Sequence, residues 1–464
     1  MKRGEITAML SLIFVLLVSF IAAMLESAVI QVSKSQKRLD VDSAIFSVFG
    51  EYQKQLLEEY EILAVEGSYE SGTFDESRLT GRMHYYGTGN IEHQITELQL
   101  LTDNKGQVFR EQVIAYMEDV YGISAIQELT GRAQMWEEQQ IQGQDAKQEQ
   151  DNLTGELQDT LGQSGQELPE TENPVAHIEE LQKSGLLKLV LPKEYVLSSK
   201  SVDANEQVSL RELKSGRGSF LTRQNVDGME GRLLFQEYIL KRFESAVQEE
   251  ETKNAAKDSS ENRNLEYETE YIIEGKESDE QNLEAVVKKL MLARLGINYI
   301  FLQTDTEKQA EAETLAVALS ALVLLPEAAE IVKQALLAAW AFGESVMDLR
   351  TLMSGKKVPL LKNAENWQLS LSALLKLGTE EDTQEGADSE EGLSYKDYLR
   401  ILLFTEDSDI MNMRTLDRVE QNLIYEKGLD FFRADQCVTK VKIQNKAIIR
   451  EGLTYDFPVY FGYE

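Results

Sequence analysis

A mostly apolar stretch without any charged residue covers residues 6–25, from Ile6 to Leu25. Lys2 and Arg3 precede this stretch, and Glu26 is the first charged residue after it. At a rise of about 1.5 Å per residue, a helix of this length covers about 30 Å, the thickness of the hydrocarbon core of a bilayer. The pattern favours a transmembrane helix that contacts the lipid bilayer. A cleaved signal peptide and a buried core helix are the alternatives.

A helical pattern continues beyond the apolar stretch. Apolar residues recur at steps of three or four from Val41 to Leu63, with charged and amide residues between them. This spacing predicts one long helix that runs from the span to about Val65, with its second part amphipathic. Gly50 is the residue at which such a helix would break, because glycine costs about 1 kcal/mol inside a helix. We predict a loop over residues 67–89, a strand over 93–101 and a helix over 107–121.

The central part of the chain is almost without apolar residues. Residues 137–173 consist largely of Glu, Gln, Asp, Gly and Ser, a composition that buries too little surface to offset the entropy of ordering. We therefore predict a disordered linker or insertion there. The predicted organisation is an anchor (1–33), a helical stalk with an α+β region (34–136), the polar linker (137–173) and a C-terminal α+β domain (174–464) with polar loops near 248–263 and 378–391.

Helical patterns outnumber strand patterns in the C-terminal domain. An extended segment over 186–197 and a strand over 265–273, where apolar and polar residues alternate, are predicted between helices. The nearly continuous apolar run 315–325 is predicted to be a buried helix at the domain centre. Two antiparallel strands over 437–443 and 455–463 are predicted to end the chain, with predicted helices over 233–243, 282–302, 306–324, 327–353, 393–404 and 415–425. The fold class is therefore α+β and mostly helical, with a small antiparallel sheet.

The charge and cysteine content narrow the classes of partner. The net charge of the 464-residue chain is −33, which repels nucleic acid and anionic lipid headgroups, so neither is expected as a partner of the main domain. The single cysteine, Cys437, cannot form an intramolecular disulfide. Because its neighbours are apolar and β-like, Cys437 is predicted to be a small buried hydrophobic residue.

The sequence contains no recognisable catalytic or metal-binding motif. The three histidines, His84, His93 and His177, lack the spacing of zinc ligands. Gly87 and Gly89 are too close together for a nucleotide-binding loop, and the acidic segment 406–409 lacks the glycine of a calcium loop. The acidic run 380–382 is interpreted as solvated. We therefore predict no catalytic, cofactor-binding or metal residue, no cofactor, and no enzymatic activity.

Several short segments carry a family resemblance. They are Arg3-Gly4-Glu5-Ile6-Thr7, Leu25-Glu26-Ser27-Ala28, residues 49–52 and 59–60, residues 267–275 (YETEYIIEG), 359–362 and 393–400. With these segments the chain resembles a family of uncharacterised membrane-anchored proteins of Gram-positive bacteria, with a domain of unknown function, and is similar to the minor pilin-like proteins of tight-adherence (Tad) pilus systems. Met9 stands where type IV prepilins carry a glutamate after the processed glycine, so the resemblance does not extend to processing at Gly4. It implies no catalytic residues.

Three functional hypotheses follow. The first is a single-pass surface protein, with a cytoplasmic N-terminus and an extracytoplasmic main domain, that is a structural or accessory component of a Tad-like pilus or secretion apparatus and has pilus or secretion proteins as partners. The second is an anchored binding or sensor module, which requires an apolar pocket among the helices between Asn282 and Met353. An enzyme is the third, and it requires a cavity that holds carboxylates or histidines with shifted pKa values.

Overall fold

The computed structural model describes residues 2–120, 173–223, 226, 228–248, 262–322 and 324–463, together with isolated positions between 141 and 159. Contacts between Cα atoms divide the chain into two compact units. Unit 1 comprises Met1–Gln112, Glu212–Arg223 and Lys427–Glu464, and unit 2 comprises Val113–Arg211 and Gln224–Glu426. Most of the predicted polar linker and most of the predicted loop near 248–263 lie outside the described residues.

The described residues form thirteen α-helices and one four-stranded antiparallel sheet. This arrangement confirms the predicted α+β class, the long N-terminal helix and the small sheet. The strands all belong to unit 1, whereas unit 2 is helical apart from isolated bridges.

The N-terminal helix, α1 (Lys2–Phe49), is 48 residues long, or about 72 Å at the standard rise. Its apolar side chains up to residue 39 are largely exposed, whereas Val41, Ile45 and Phe49 are buried in the core of unit 1. The prediction that this helix continues to about Val65 is wrong beyond Gly50. The Glu51 amide bonds to the Val48 carbonyl in a tightened last turn, and the Gln53 amide donates to the Ala64 carbonyl, so the chain turns back.

Short elements connect α1 to the sheet. They are α2 (Lys54–Tyr60), β1 (Val65–Glu66), α3 (Glu76–Met83), β2 (Ile91–Leu100) and α4 (Asp103–Val120). Strand β2 confirms the predicted strand over 93–101, and α4 the predicted helix over 107–121. The predicted loop over 67–89 is wrong where α3 forms, because the Asp75 carboxylate accepts from the Ser77 amide and caps that helix.

The central strand of the sheet is β3 (Cys437–Arg450), and it pairs with all three other strands. It pairs with β2 from Val438 to Ala447 and with β4 (Leu453–Gly462) from Lys440 to Arg450. Gly452, with φ of +77°, reverses the chain between β3 and β4, a backbone conformation that favours glycine. The two predicted C-terminal strands are therefore confirmed, and the sheet buries one face against α1.

Unit 2 is built from nine further helices. They are α5 (Pro174–Lys183), α6 (Leu186–Val190), α7 (Met229–Arg242), α8 (Glu268–Glu274), α9 (Asp279–Thr304), α10 (Thr306–Leu322), α11 (Ala329–Met353), α12 (Tyr395–Thr405) and α13 (Ser408–Tyr425). The six helices predicted in this region correspond to α7 and α9–α13. The extended segment predicted over 186–197 is wrong at its start, where α6 forms.

The strand predicted over 265–273 is wrong, because this segment forms α8. The alternation of polar and apolar residues suggested one buried face, yet Glu268 and Glu270 are as buried as Tyr271 and Ile272. Their carboxylates find partners inside the unit: Glu268 accepts from the Asn422 amide, and Glu270 accepts from the Ala246 backbone. All sides of α8 are therefore packed against the rest of the unit. The alternation of polar and apolar residues does not correspond to one exposed and one buried face, so it does not indicate a strand.

The apolar run 315–325 is also not buried as predicted. In α10, Ala316 and Leu319 are buried, but Val317 is 54% exposed, Leu322 is 69% exposed, and Leu324, just after the helix, is 81% exposed. The physical reason is that α10 packs mainly on α11, so one stripe of the helix is covered.

Candidate binding site

A cavity of about 580 Å³ lies within unit 2, between the short helices α5 and α6 and the long helices α9 and α11. Most of the side chains around it are apolar. They are Val175, Ile178 and Leu181 of α5, Leu186 and Leu189 of α6, Met291, Leu292 and Leu295 of α9, and Ala335, Ala338, Ala339 and Phe342 of α11, with Gly155 also at its wall. This is the apolar concave site that the binding-module hypothesis requires between Asn282 and Met353.

Small side chains on α11 leave room for the cavity. Ala335, Ala338 and Ala339 recur at steps of three and four, so they share one face of the helix. On the opposite wall, the Asn173 side chain accepts from the Val175 amide at 3.1 Å and Pro174 occupies the first turn, which fixes the start of α5. The small alanine side chains leave space on one side of the cavity, and the capped start of α5 lies on the other side.

Three polar side chains also line the cavity: Glu179 and Gln182 from α5 and Lys288 from α9. The Lys288 ammonium lies 2.7 Å from the Glu284 carboxylate, and its side chain is 59% exposed. These groups lie at the solvent-exposed part of the lining. The site therefore offers an apolar interior and charged or amide groups where a polar end of a ligand would lie.

A buried ionic network joins the two long helices that form one side of the cavity. The Asp348 carboxylate of α11 accepts from the Arg294 guanidinium of α9 at 2.8–2.9 Å and lies 2.8 Å from the Lys362 ammonium. Lys362 is also 2.5 Å from the Glu344 carboxylate. All four side chains are inaccessible to solvent. Because each charge has an opposite neighbour, the network holds α9, α11 and the segment around residue 362 in one arrangement.

The two carboxylates of this network differ electrostatically. Burial raises the pKa of Glu344, although Lys362 opposes the shift. For Asp348, burial also acts upwards, but the charges of Arg294 and Lys362 outweigh it and hold the pKa below its usual range. Asp348 is therefore the firmly ionised centre of the network.

A second group of buried acids lies around α8. Burial raises the pKa of Glu270 to about 7, although the Ala246 amide and the Tyr395 hydroxyl each donate to its Oε1 at 2.9 Å. Burial likewise raises the pKa of Asp417 to about 6, with the Ser209 and Tyr271 hydroxyls as donors. Neither carboxyl lines the cavity. The condition for an enzyme, shifted groups inside a cavity, is not met by this pair.

Two of the three histidines lie side by side, and the third histidine bonds to a backbone carbonyl elsewhere. His93 Nδ1 lies 2.6 Å from the Asn445 side-chain oxygen, and His177 Nε2 lies 2.8 Å from the Leu377 carbonyl. The His84 ring is 4.9 Å from the His93 ring. Cys437 is buried, as predicted. Among the described residues, no group of three or more His, Cys, Asp or Glu side chains is arranged to hold a metal ion.

One acidic residue departs from the prediction. Asp382, in the run interpreted as solvated, accepts from the Arg350 guanidinium through both oxygens at 2.6 and 3.0 Å. Its side chain is largely buried, whereas Glu380 and Glu381 are exposed. The acidic segment 406–409 serves as a helix start, because the Asp407 carboxylate caps α13.

Of the helices in the described part of the chain, α1 is the one long and apolar enough to cross a membrane. The side chains of its apolar part are not buried by any other part of the described structure. A membrane anchor and an export signal near the N-terminus share these properties. The apolar helix is thus established by its length and composition.

The chain belongs to DUF5702, a family of unknown function whose sequence pattern matches residues 164–449. The match includes the segments 267–275, 359–362 and 393–400 on which the resemblance to an uncharacterised family partly rests. Comparison with curated proteins and with solved structures gives no match.

Proposed function

We propose that the protein is a single-pass membrane protein whose helical unit 2 binds an apolar ligand with a polar end. The cavity between α5, α6, α9 and α11 is the observation that carries this proposal. Its volume of about 580 Å³ falls within the roughly 300–1,000 Å³ of small-molecule sites. A mostly apolar wall with Glu179, Gln182 and Lys288 in the lining suits an amphiphile such as a fatty acid.

Photo-crosslinking tests the binding site directly. A diazirine-bearing fatty acid would be added to the full-length protein in nanodiscs, and labelled peptides would be located by mass spectrometry. Labels are expected in α5, α9 and α11. Ala338→Trp fills the cavity and should abolish them, whereas Ala310→Trp, at an exposed position of α10, should not. Equal labelling of the wild type and a folded Ala338→Trp or Ala338→Leu variant would refute the proposal.

The anchor is proposed to be α1, with its N-terminus in the cytoplasm and the chain after the span outside. Supporting observations are the uncharged stretch 6–25 and the exposure of its side chains. Wild-type protein should stay with membranes in alkaline carbonate, and Leu16→Arg with Val18→Arg should reduce this retention, because arginine at a bilayer centre costs about 2.5–3.5 kcal/mol on insertion scales. Val32→Arg, beyond the span, is the matched control. Protection of the main domain from protease added to intact cells would contradict the orientation.

A second candidate function is an accessory component of a Tad-like pilus or secretion apparatus. The observation that favours it is the form of α1, an apolar first part followed by residues 41–49 packed on an antiparallel sheet. Deletion of the gene should then reduce the number of surface pili seen by electron microscopy, and re-expression should restore it. Unchanged piliation would leave the binding module as the better account.

A further inference from the structure

The hairpin of β3 and β4 lies along the part of α1 that follows the apolar span. Near the C-terminal end of α1, the Tyr463 hydroxyl donates to the Phe49 carbonyl, and the Phe49 and Phe461 rings are 4.7 Å apart. Further back along the helix, the Lys34 ammonium lies 5.1 Å from the Tyr455 ring centre. At the hairpin turn, Arg450 forms an ion pair with Glu26. The turn is therefore level with the first charged residue after the span.

The end of this hairpin is less supported than the rest of the sheet. Pairing between β2 and β3 stops at Ala447, so residues 448–454 form a two-stranded ribbon beyond the edge of β2. Ile448 is 63% exposed, and Leu453 is half-buried. A two-stranded ribbon with exposed apolar side chains is marginal in water by itself. Contact with a further apolar surface would therefore stabilise this end of the hairpin.

The local charge differs in sign from that of the whole chain. We define the membrane-proximal zone as residues 26–38 of α1 and 446–456 of the hairpin. It holds five basic and three acidic side chains, whereas the chain has a net charge of −33. The basic members are Lys34, Lys37, Arg38, Lys446 and Arg450, and the acidic ones are Glu26, Glu451 and Asp456. The expected repulsion of anionic lipid by the main domain therefore does not apply to this zone.

We propose that the tip of the β3–β4 hairpin docks on the anionic phospholipid surface of the membrane that α1 spans. The proposal rests on the proposed anchoring of α1. The basic side chains meet lipid phosphates, and Ile448 and Leu453 enter the interface between headgroups and acyl chains. Each basic residue near such a surface contributes attraction that salt screens. Unit 1 then has two points of attachment, the helix and the hairpin.

A fluorophore at the tip tests the proposal. Leu453→Cys in the full-length chain would be labelled with an environment-sensitive dye and reconstituted in vesicles of phosphatidylcholine with phosphatidylglycerol. Tyr460→Cys, on the same strand but about 24 Å farther from the tip, is the matched control. Wild-type protein controls for background labelling, since Cys437 is buried.

The expected result is a blue-shifted emission at residue 453 and its loss with a lipid-borne quencher, with neither effect at residue 460. Lys446→Gln should lower the ratio of docked to undocked tip about fivefold at low salt. If the protein resists carbonate extraction but both labels remain in water, the docking is refuted and the anchor stands. If the protein is extracted by carbonate, the anchor and the docking both fail.

Discussion

Glu270 should make the stability of unit 2 fall as the pH rises from 5 to 7. Its carboxyl is fully buried at the centre of α8, and its Oε2 has no hydrogen-bond partner among the described residues. Burial raises its pKa to about 7, and nearby Asp279 acts in the same direction, while donors from Ala246 and Tyr395 oppose the shift. The folded state therefore holds a proton that the unfolded chain has released.

The sign and the size of the pH effect follow from the difference between the pKa of Glu270 in the folded and unfolded states. An unfolded glutamate has a pKa of about 4.3, so between about pH 4.3 and 7 the unfolded state binds fewer protons than the folded state. The free energy of unfolding then decreases by about 1.4 kcal/mol per pH unit in this window, to a total of roughly 4 kcal/mol, of which roughly 3 kcal/mol falls above pH 5. The contribution is fully present below the unfolded pKa and is lost as the pH rises through the folded one. Asp417, with a pKa of about 6, adds a loss of the same sign.

Urea unfolding at pH 5, 6, 7 and 8 measures this effect. Tryptophan emission reports on unit 2, because Trp136, Trp340 and Trp367 all fall within its segments. Glu270→Gln should reduce the fall in the free energy of unfolding between pH 5 and pH 8 by roughly 3 kcal/mol. Glu280→Gln, which removes the same charge from an exposed position, should leave the slope unchanged. Equal slopes for wild type and Glu270→Gln would refute the reasoning.

Two further predictions concern buried polar groups. Lys362→Met should lower the free energy of unfolding of unit 2 by about 3–5 kcal/mol, because it leaves the buried Glu344 carboxylate without its cation and Asp348 with Arg294 alone. Glu344→Gln in the same chain should recover part of the loss, and a loss below about 1 kcal/mol, the range of surface pairs, would contradict this prediction. Asn445→Leu should cost unit 1 about 1–3 kcal/mol by removing the acceptor for His93. Hydrogen exchange of the β3 amides measures this cost, and unchanged exchange would count against it.

The success of sequence reasoning depended on whether an element had one solvent-facing side. Strands β3 and β4 and helix α9 show the expected periods, because part of each faces away from the core. In α8 the polar positions Glu268 and Glu270 are buried with their own donors, and no local pattern reveals such partners. The exposed residues of α10 show the converse case, since a run of apolar residues does not specify how many neighbours will cover it.

From the sequence, only the part of the chain that contributes one side of the cavity could be predicted. The interval from Asn282 to Met353 contains α9 and α11, and the steps between Ala335, Ala338 and Ala339 are visible in the sequence. The opposite wall, α5 and α6, lies about a hundred residues earlier and has no sequence feature that points to it. The network of Arg294, Asp348 and Lys362 was missed for the same reason, because its members are brought together by packing.

The position of β3 in the chain has a consequence for synthesis. Ile91 pairs with Ala447, so β2 emerges from the ribosome more than three hundred residues before its partner strand. Until β3 is made, the buried face of α1 around Ile45 has no sheet on which to pack. Unit 2, encoded between these parts, is complete by Glu426 and precedes the closure of unit 1. A translation arrest before residue 437 therefore leaves an exposed apolar face on α1, a substrate for chaperones and quality-control proteases.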